Sequence, residues 1–121
     1  RNTIRGDNRS EAINGKAGND VLLGGANEDC IAGGPGNDLI AGGPAFDTLS
    51  GGPGNDVILG GSGNDTIKPG PGRDTINAGK GNDTIDARDG TRDTINCGPG
   101  RDTATVDRID TATGCETVKL R

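Results

Sequence analysis

Apolar residues recur every nine positions along this chain, each placed in a short segment that follows a glycine-rich turn. Segments 33–41 (GGPGNDLIA) and 51–59 (GGPGNDVIL) show the unit most clearly. Numbering its positions from the first glycine, we start units at residues 6, 15, 24, 33, 42, 51, 60, 69, 78, 87 and 97. Only the tenth unit, from Ala87 to Asn96, carries an extra residue. Such a fixed period indicates a repeat architecture.

The eighth position of each unit is aliphatic. Its members are Ile13, Leu22, Ile31, Ile40, Leu49, Ile58, Ile67, Ile76, Ile85, Ile95 and Ala104. Side chains alternate along a strand, so this residue points to one face while positions seven and nine point to the other. Gly at positions one, two and four permits positive φ, and Pro at position three cannot continue a strand. The pattern therefore predicts an all-β fold of three-residue strands joined by tight turns.

Two units are expected to form one 18-residue coil, with one strand on each side. Coils would stack at ~4.8 Å and form two parallel sheets with the aliphatic residues between them. Eleven units predict about five and a half coils. We divide the chain into a degenerate N-terminal coil (1–14), the regular repeats (15–105) and a C-terminal capping strand segment (106–121).

The sixth position of the unit is acidic. Glu11 occupies it in the first unit, and the later units have Asp20, Asp29, Asp38, Asp47, Asp56, Asp65, Asp74, Asp83, Asp93 and Asp102. Calcium prefers six to eight oxygen ligands from carboxylates and backbone carbonyls, which a glycine turn ending in Asp can supply. The alternative is that Asn-Asp merely caps each turn, which explains one Asp well but ten in register poorly.

Residues 15–102 resemble the glycine- and aspartate-rich nonapeptide of the RTX, or haemolysin-type calcium-binding, family. The resemblance implies a right-handed parallel β-roll (a β-solenoid) that binds several Ca²⁺ ions, up to about eight, between stacked turns. The implied ligands are the ten aspartates, paired between turns 18 or 19 residues apart. Glu11 and Asp29 would form a weaker pair. The implied carbonyl ligands are those of turn residues such as Gly33, Gly34, Gly36, Gly51, Gly52, Gly54, Gly60, Gly61 and Gly63.

Composition favours folding that depends on metal. The chain has 24 Gly, one aromatic residue (Phe46) and 28% hydrophobic residues, which is typical of disordered segments. Without a cation, carboxylates ~5 Å apart repel by about 3 kcal/mol at an effective dielectric near 20. We therefore expect a chain that is disordered in chelator and folded in millimolar calcium.

Cysteine usage agrees with an extracellular calcium protein. In that context we expect a disulfide between Cys97 and Cys115, which implies an oxidising compartment; the alternative is two unpaired small residues. Cys30 lies too many coils away from Cys97 to pair with it. The basic C-terminus does not resemble an uncleaved export signal, and export through a removed N-terminal signal is our expectation.

The outward positions of the first sheet are apolar in its early coils. We define the apolar face as Val21, Leu23, Leu39, Val57 and Leu59. An apolar patch usually marks an interface, here with another copy or a neighbouring domain. The alternative is the ordinary β-propensity of Val and Leu on an exposed strand.

Several functional classes are disfavoured. The chain has no His, so a His-based triad and the common zinc sites are excluded, and we expect no enzyme. A net charge of −5 without a basic stripe argues against nucleic acid, and no apolar run suits a transmembrane segment. The sequence predicts a secreted calcium-binding module with a structural, stabilising or adhesive role. The alternatives are a self-assembling, filament-forming extracellular protein and, less favoured, an ice-binding protein.

Overall fold

The chain forms a stack of short parallel strands. A computed structural model describes residues 2–7 and 9–120, and Arg1, Asn8 and Arg121 lie outside the described residues. The strands are β1 (Thr3–Arg5), β2 (Ala12–Asn14), β3 (Val21–Leu23), β4 (Cys30–Ala32), β5 (Leu39–Ala41), β6 (Thr48–Ser50), β7 (Val57–Leu59), β8 (Thr66–Lys68), β9 (Thr75–Asn77), β10 (Thr84–Asp86), β11 (Thr94–Asn96), β12 (Thr103–Val106), β13 (Thr111–Thr113) and β14 (Thr117–Leu120). This confirms the predicted all-β class.

The strands form two seven-stranded sheets, one from the odd-numbered and one from the even-numbered strands. All pairs are parallel, and in the regular part each residue pairs with the one 18 positions later, as Ile40 does with Ile58. The turns are bonded in the same register, since Gly36 donates its N–H to the Pro53 carbonyl at 3.0 Å. The predicted β-solenoid of two-unit coils is therefore confirmed.

The core lies between the sheets. All eleven eighth-position aliphatic residues named above are buried, from Ile13 at 7% exposed to Ala104 at 0%. Ala78, Ala87 and Cys97, which begin later units, join them together with Val106. The core is one side chain deep on each sheet, so each coil packs mainly on the coils before and after it.

The roll is longer than eleven units predict. Ile4 on β1 pairs with Leu22, Ala112 on β13 with Ile95, and Val118 on β14 with Ala104. These end strands continue the register although the segments before them lack the glycine-rich turn. The predicted final strand corresponds to β14, but its Val118 and Leu120 remain 45% and 63% exposed because no further coil covers them.

A disulfide ties the last coils together. Cys97 and Cys115 are bonded, with their Cα atoms 5.1 Å apart, which confirms the expected pairing. Cys30 is an exposed free cysteine on β4. In the described part of the chain there is no helix long and apolar enough to cross a membrane.

Candidate metal centre

The sixth-position aspartates form two ladders, one along each edge of the roll. We call the rows Asp20–Asp38–Asp56–Asp74–Asp93 and Asp29–Asp47–Asp65–Asp83–Asp102 the acidic ladders. Within each row the backbone N–H of one Asp donates to Oδ1 of the next, at 2.7–2.9 Å. The structure thus brings together every Asp pair that the sequence places between neighbouring turns.

Each ladder carboxylate is buried, and one of its oxygens lacks a partner. The ten aspartates are 0–3% exposed. Oδ1 accepts the hydrogen bond along the ladder, whereas Oδ2 of all ten has no hydrogen-bond partner. A buried, unsatisfied carboxylate oxygen is costly unless a cation or donor completes it. This orphaned row fits a hard cation, whose preferred ligand is such an oxygen.

Turn carbonyls lie beside these oxygens. A Cβ added to Gly33 would lie 2.5 Å from Asp38 Oδ2 and 2.7 Å from the Gly51 carbonyl oxygen. The two oxygens therefore flank the same point, one from its own turn and one from the next coil. The bonds between turns use carbonyls such as those of Pro53, Asp20 and Ser50, and none of them uses the carbonyl of Gly33. Backbone and carboxylate oxygens could hold a cation together.

The first position of the unit distinguishes the two halves of the roll. Gly occupies it through Gly60, and the later units have Pro69, Ala78, Ala87 and Cys97. The side chains of Ala78, Ala87 and Cys97 are 0–2% exposed and belong to the core. The space beside Oδ2 is thus open to the backbone only in the N-terminal half.

Burial perturbs the ladder carboxyls. It raises the pKa of Asp65 to about 7, and repulsion by Asp83 and Asp47 adds to the effect against the opposing hydrogen bond from Asp47 N–H. Burial also raises the pKa of Asp74 to about 8, with repulsion from Asp93 and Asp56 adding to it. A divalent cation would supply the missing counter-charge and favour the ionised form.

The inserted tenth unit keeps its place in the ladder. Asp74 N–H donates to Asp93 Oδ1 at 2.8 Å across a separation of 19 residues. The extra residue is accommodated by a wider turn, in which the N–H groups of Asp89 and Gly90 donate to Asp107 Oδ2. At the other end, Glu11 N–H donates to Asp29 Oδ1 at 3.0 Å, so Glu11 also lies next to its predicted neighbour.

Sequence analysis missed one further member of the first ladder. Asp110 accepts from Asp93 N–H at 2.8 Å, and the segment DTAT that it begins repeats the D-T-aliphatic pattern of earlier units. It also missed an outer amide ladder, in which Asn37 N–H donates to Asn19 Oδ1 and Asn55 N–H to Asn37 Oδ1. The signal for that ladder was the recurrence of Asn immediately before the ladder aspartates.

The apolar face lies on the outer surface of the odd-numbered sheet. Leu39, Val57 and Leu59 are 37%, 39% and 39% exposed, and Val21 and Leu23 are partly buried. Val21 pairs with Leu39, and Leu39 with Val57, so these side chains form a row across three strands. This surface is separate from the acidic ladders, which lie at the turns.

Comparison with known proteins agrees with this geometry. The model of the RTX calcium-binding nonapeptide repeat, which describes four copies, matches residues 5–40, 33–67 and 69–104. A search of curated proteins found no match. Repeats of this family bind calcium, typically in extracellular or secreted proteins, and are typically structural rather than catalytic. Because the matches span most of the chain, this protein belongs to the RTX calcium-binding nonapeptide repeat family.

Proposed function

We propose that this chain is a secreted calcium-binding module that folds as calcium fills its acidic ladders and has a structural, stabilising or adhesive role without catalysis. The observation that carries the proposal is the row of ten buried Oδ2 atoms without hydrogen-bond partners. In the proposed division, residues 15–105 bind the ions and residues 106–121 cap the stack.

The metal-free roll has a specific weakness. Ladder neighbours are bonded through N–H to Oδ1, so their charges are held close together while burial excludes water. The small core cannot offset much of this cost, because each coil contributes only two aliphatic side chains to it. Calcium binding and folding are therefore expected to be one coupled process.

The substitution Asp65→Asn tests the proposal. The amide keeps the Oδ1 that accepts from Asp47 N–H and removes only the charge. If Asp65 binds calcium, the variant should weaken calcium binding and lower the melting temperature in calcium. In EDTA the same variant should stabilise any residual β structure, because a buried charge is gone. Glu28→Gln removes an exposed charge in a turn and serves as the control.

Circular dichroism and isothermal titration calorimetry provide the measurements. We expect a disordered spectrum in EDTA, a β spectrum in millimolar calcium, and little effect of millimolar magnesium. A full β spectrum in EDTA would refute coupled folding. Asp65→Asn that behaves like Glu28→Gln in calcium would instead support aspartates that only cap turns.

A second candidate function is self-assembly through the apolar face. The row formed by Val21, Leu39 and Val57 is continuous and partly exposed, and it suits the same row on a second copy. The double variant Leu39→Lys/Val57→Lys should then sediment as a monomer while the parent chain forms dimers or filaments in calcium. An unchanged sedimentation coefficient, or a monomeric parent chain, would exclude this assembly.

A further inference from the structure

The inserted residue of the tenth unit brings a third carboxylate to one rung of the first acidic ladder. Asp74, Asp89 and Asp93 each place one carboxylate oxygen within 4.8 Å of the others. Elsewhere in residues 2–7 and 9–120 no other group of three potential metal-ligating side chains comes this close. The regular rungs provide two ladder carboxylates, whereas this one has three.

The oxygens that face one another in this cluster are unsatisfied. Asp74 and Asp93 are both 0% exposed, and their Oδ2 atoms have no hydrogen-bond partner. Oδ2 of Asp89 is likewise buried and unpartnered, while its Oδ1 accepts from Thr91 N–H at 2.8 Å. Two fully buried carboxylates with vacant oxygens are thus joined by a third from the inserted turn.

Neighbouring aspartates act differently and hold the turn in place. Asp107 Oδ2 accepts from the N–H groups of Asp89 and Gly90 at 2.8 and 2.7 Å. Asp110 uses both oxygens, accepting from Asp93 N–H and Asp107 N–H at 2.8 Å each. These contacts fix the turn through its backbone and leave the side chains of the cluster available to bind.

No basic side chain neutralises the cluster. Arg88, on the same turn, is directed to Asp86, with Nε to Oδ1 and Nη2 to Oδ2 both at 2.8 Å. That pair is the one ion pair within 4.0 Å found among the described residues. Three negative charges therefore remain together with no protein counter-charge.

We propose that Asp74, Asp89 and Asp93 form a separate, carboxylate-rich cation site that fills before the regular rungs. The inference rests on the proposed calcium-binding function and adds to it an order of occupancy. Oxygens bound to calcium at 2.3–2.6 Å can lie up to about 5 Å apart, so the 4.8 Å spacing allows one ion to contact all three carboxylates. Affinity rises with the charge count of the ligands, so the third carboxylate gives this site priority.

The position of the site gives early filling a structural meaning. The cluster lies just before β11, and Cys97, one half of the disulfide, follows that strand directly. The covalent tie and the first ion would then fix the same C-terminal coils. The more regular N-terminal rungs would add to a coil that is already ordered.

Calorimetry of the full chain tests the proposal, with calcium as the titrant and Asp89→Asn compared with Glu28→Gln. We expect the parent chain and Glu28→Gln to show a tight first binding event. Asp89→Asn should weaken that event by about tenfold or more and leave the later events in place. Equal first affinities in all three proteins would overturn the site while leaving calcium binding by the roll intact. A parent chain that takes up no calcium would instead refute the proposed function.

A second measurement needs no variant. Europium(III) can be excited directly, which suits a chain whose one aromatic residue is Phe46. The first equivalent bound to the parent chain should have a longer luminescence lifetime than later equivalents, because three carboxylates displace more water. Identical lifetimes for all equivalents would contradict a distinct first site.

Discussion

The close stacking of the turns can be tested with one pair of glycine substitutions. Gly54 has φ +126°, and a Cβ there would lie 2.0 Å from the Gly36 carbonyl oxygen of the previous coil. Gly90 also has a positive φ, +80°, but a Cβ there would have no heavy atom within 4 Å. Comparing Gly54→Ala with Gly90→Ala therefore separates the clash between coils from the backbone strain that both share.

The structure gives a magnitude for each. Gly90→Ala costs about 1–2 kcal/mol, the penalty of a left-handed conformation for an L-residue. Gly54→Ala adds a displacement of the neighbouring coil, because 2.0 Å is far below any contact distance. That displacement weakens the bonds from Gly54 N–H to Pro71 and from Gly36 N–H to Pro53, worth about 1 kcal/mol each. The two variants should differ by about 2–3 kcal/mol.

Thermal melting in saturating calcium, followed by circular dichroism, measures this difference. For a chain of this length 1 kcal/mol corresponds to about 4 °C. Gly54→Ala should therefore melt about 8–12 °C below Gly90→Ala and should need more calcium to fold. If the two variants melt within 2–3 °C of each other, the turns are not packed as closely as described, and the argument from backbone contact fails.

Two further predictions concern pH and redox state. In EDTA, lowering the pH from 8 to 5 should increase the β signal. Burial raises the folded-state pKa of Asp65 to about 7 and of Asp74 to about 8, so their contribution to stability is present below their ordinary value of 3.8 and is lost as pH rises through 7–8; a β signal that falls steadily with acidification would contradict this. Reducing the Cys97–Cys115 bond should lower the free energy of unfolding by about 3 kcal/mol in denaturant titrations, whereas Cys30→Ser should change nothing, and equal stability of the oxidised and reduced forms would oppose this role.

The repeat made the coil predictable from sequence. One aliphatic residue at a fixed phase, such as Ile58, determines both the strand and its inward face, and two units per coil follow from short strands and symmetric turns. The register of 18 then places Asp38 next to Asp56 without any structural information. These properties are local and periodic, so each unit repeats the same evidence.

The ends and the inserted turn were less predictable. Ile4 and Val118 belong to coils whose turns lack the glycine pattern, so only their spacing from known strands identifies them. The insertion was expected to distort the turn before Asp93. Which carboxylates would be engaged by backbone donors depends on the three-dimensional path of that turn, and there Asp107 takes two donors while Asp89 is left with a vacant oxygen.

The uniform register also bears on how the molecule could change in length. Each rung is bonded to the rungs 18 residues before and after it, as in the pairing of Leu22 with Ile40 and of Ile40 with Ile58. A duplication of 18 residues at any regular rung would add one coil, two core side chains and two ladder aspartates, and both new junctions would be native ones. Length, ion capacity and stability would then increase in the same step. A lineage carrying this repeat could adjust all three by gene duplication without redesigning an interface.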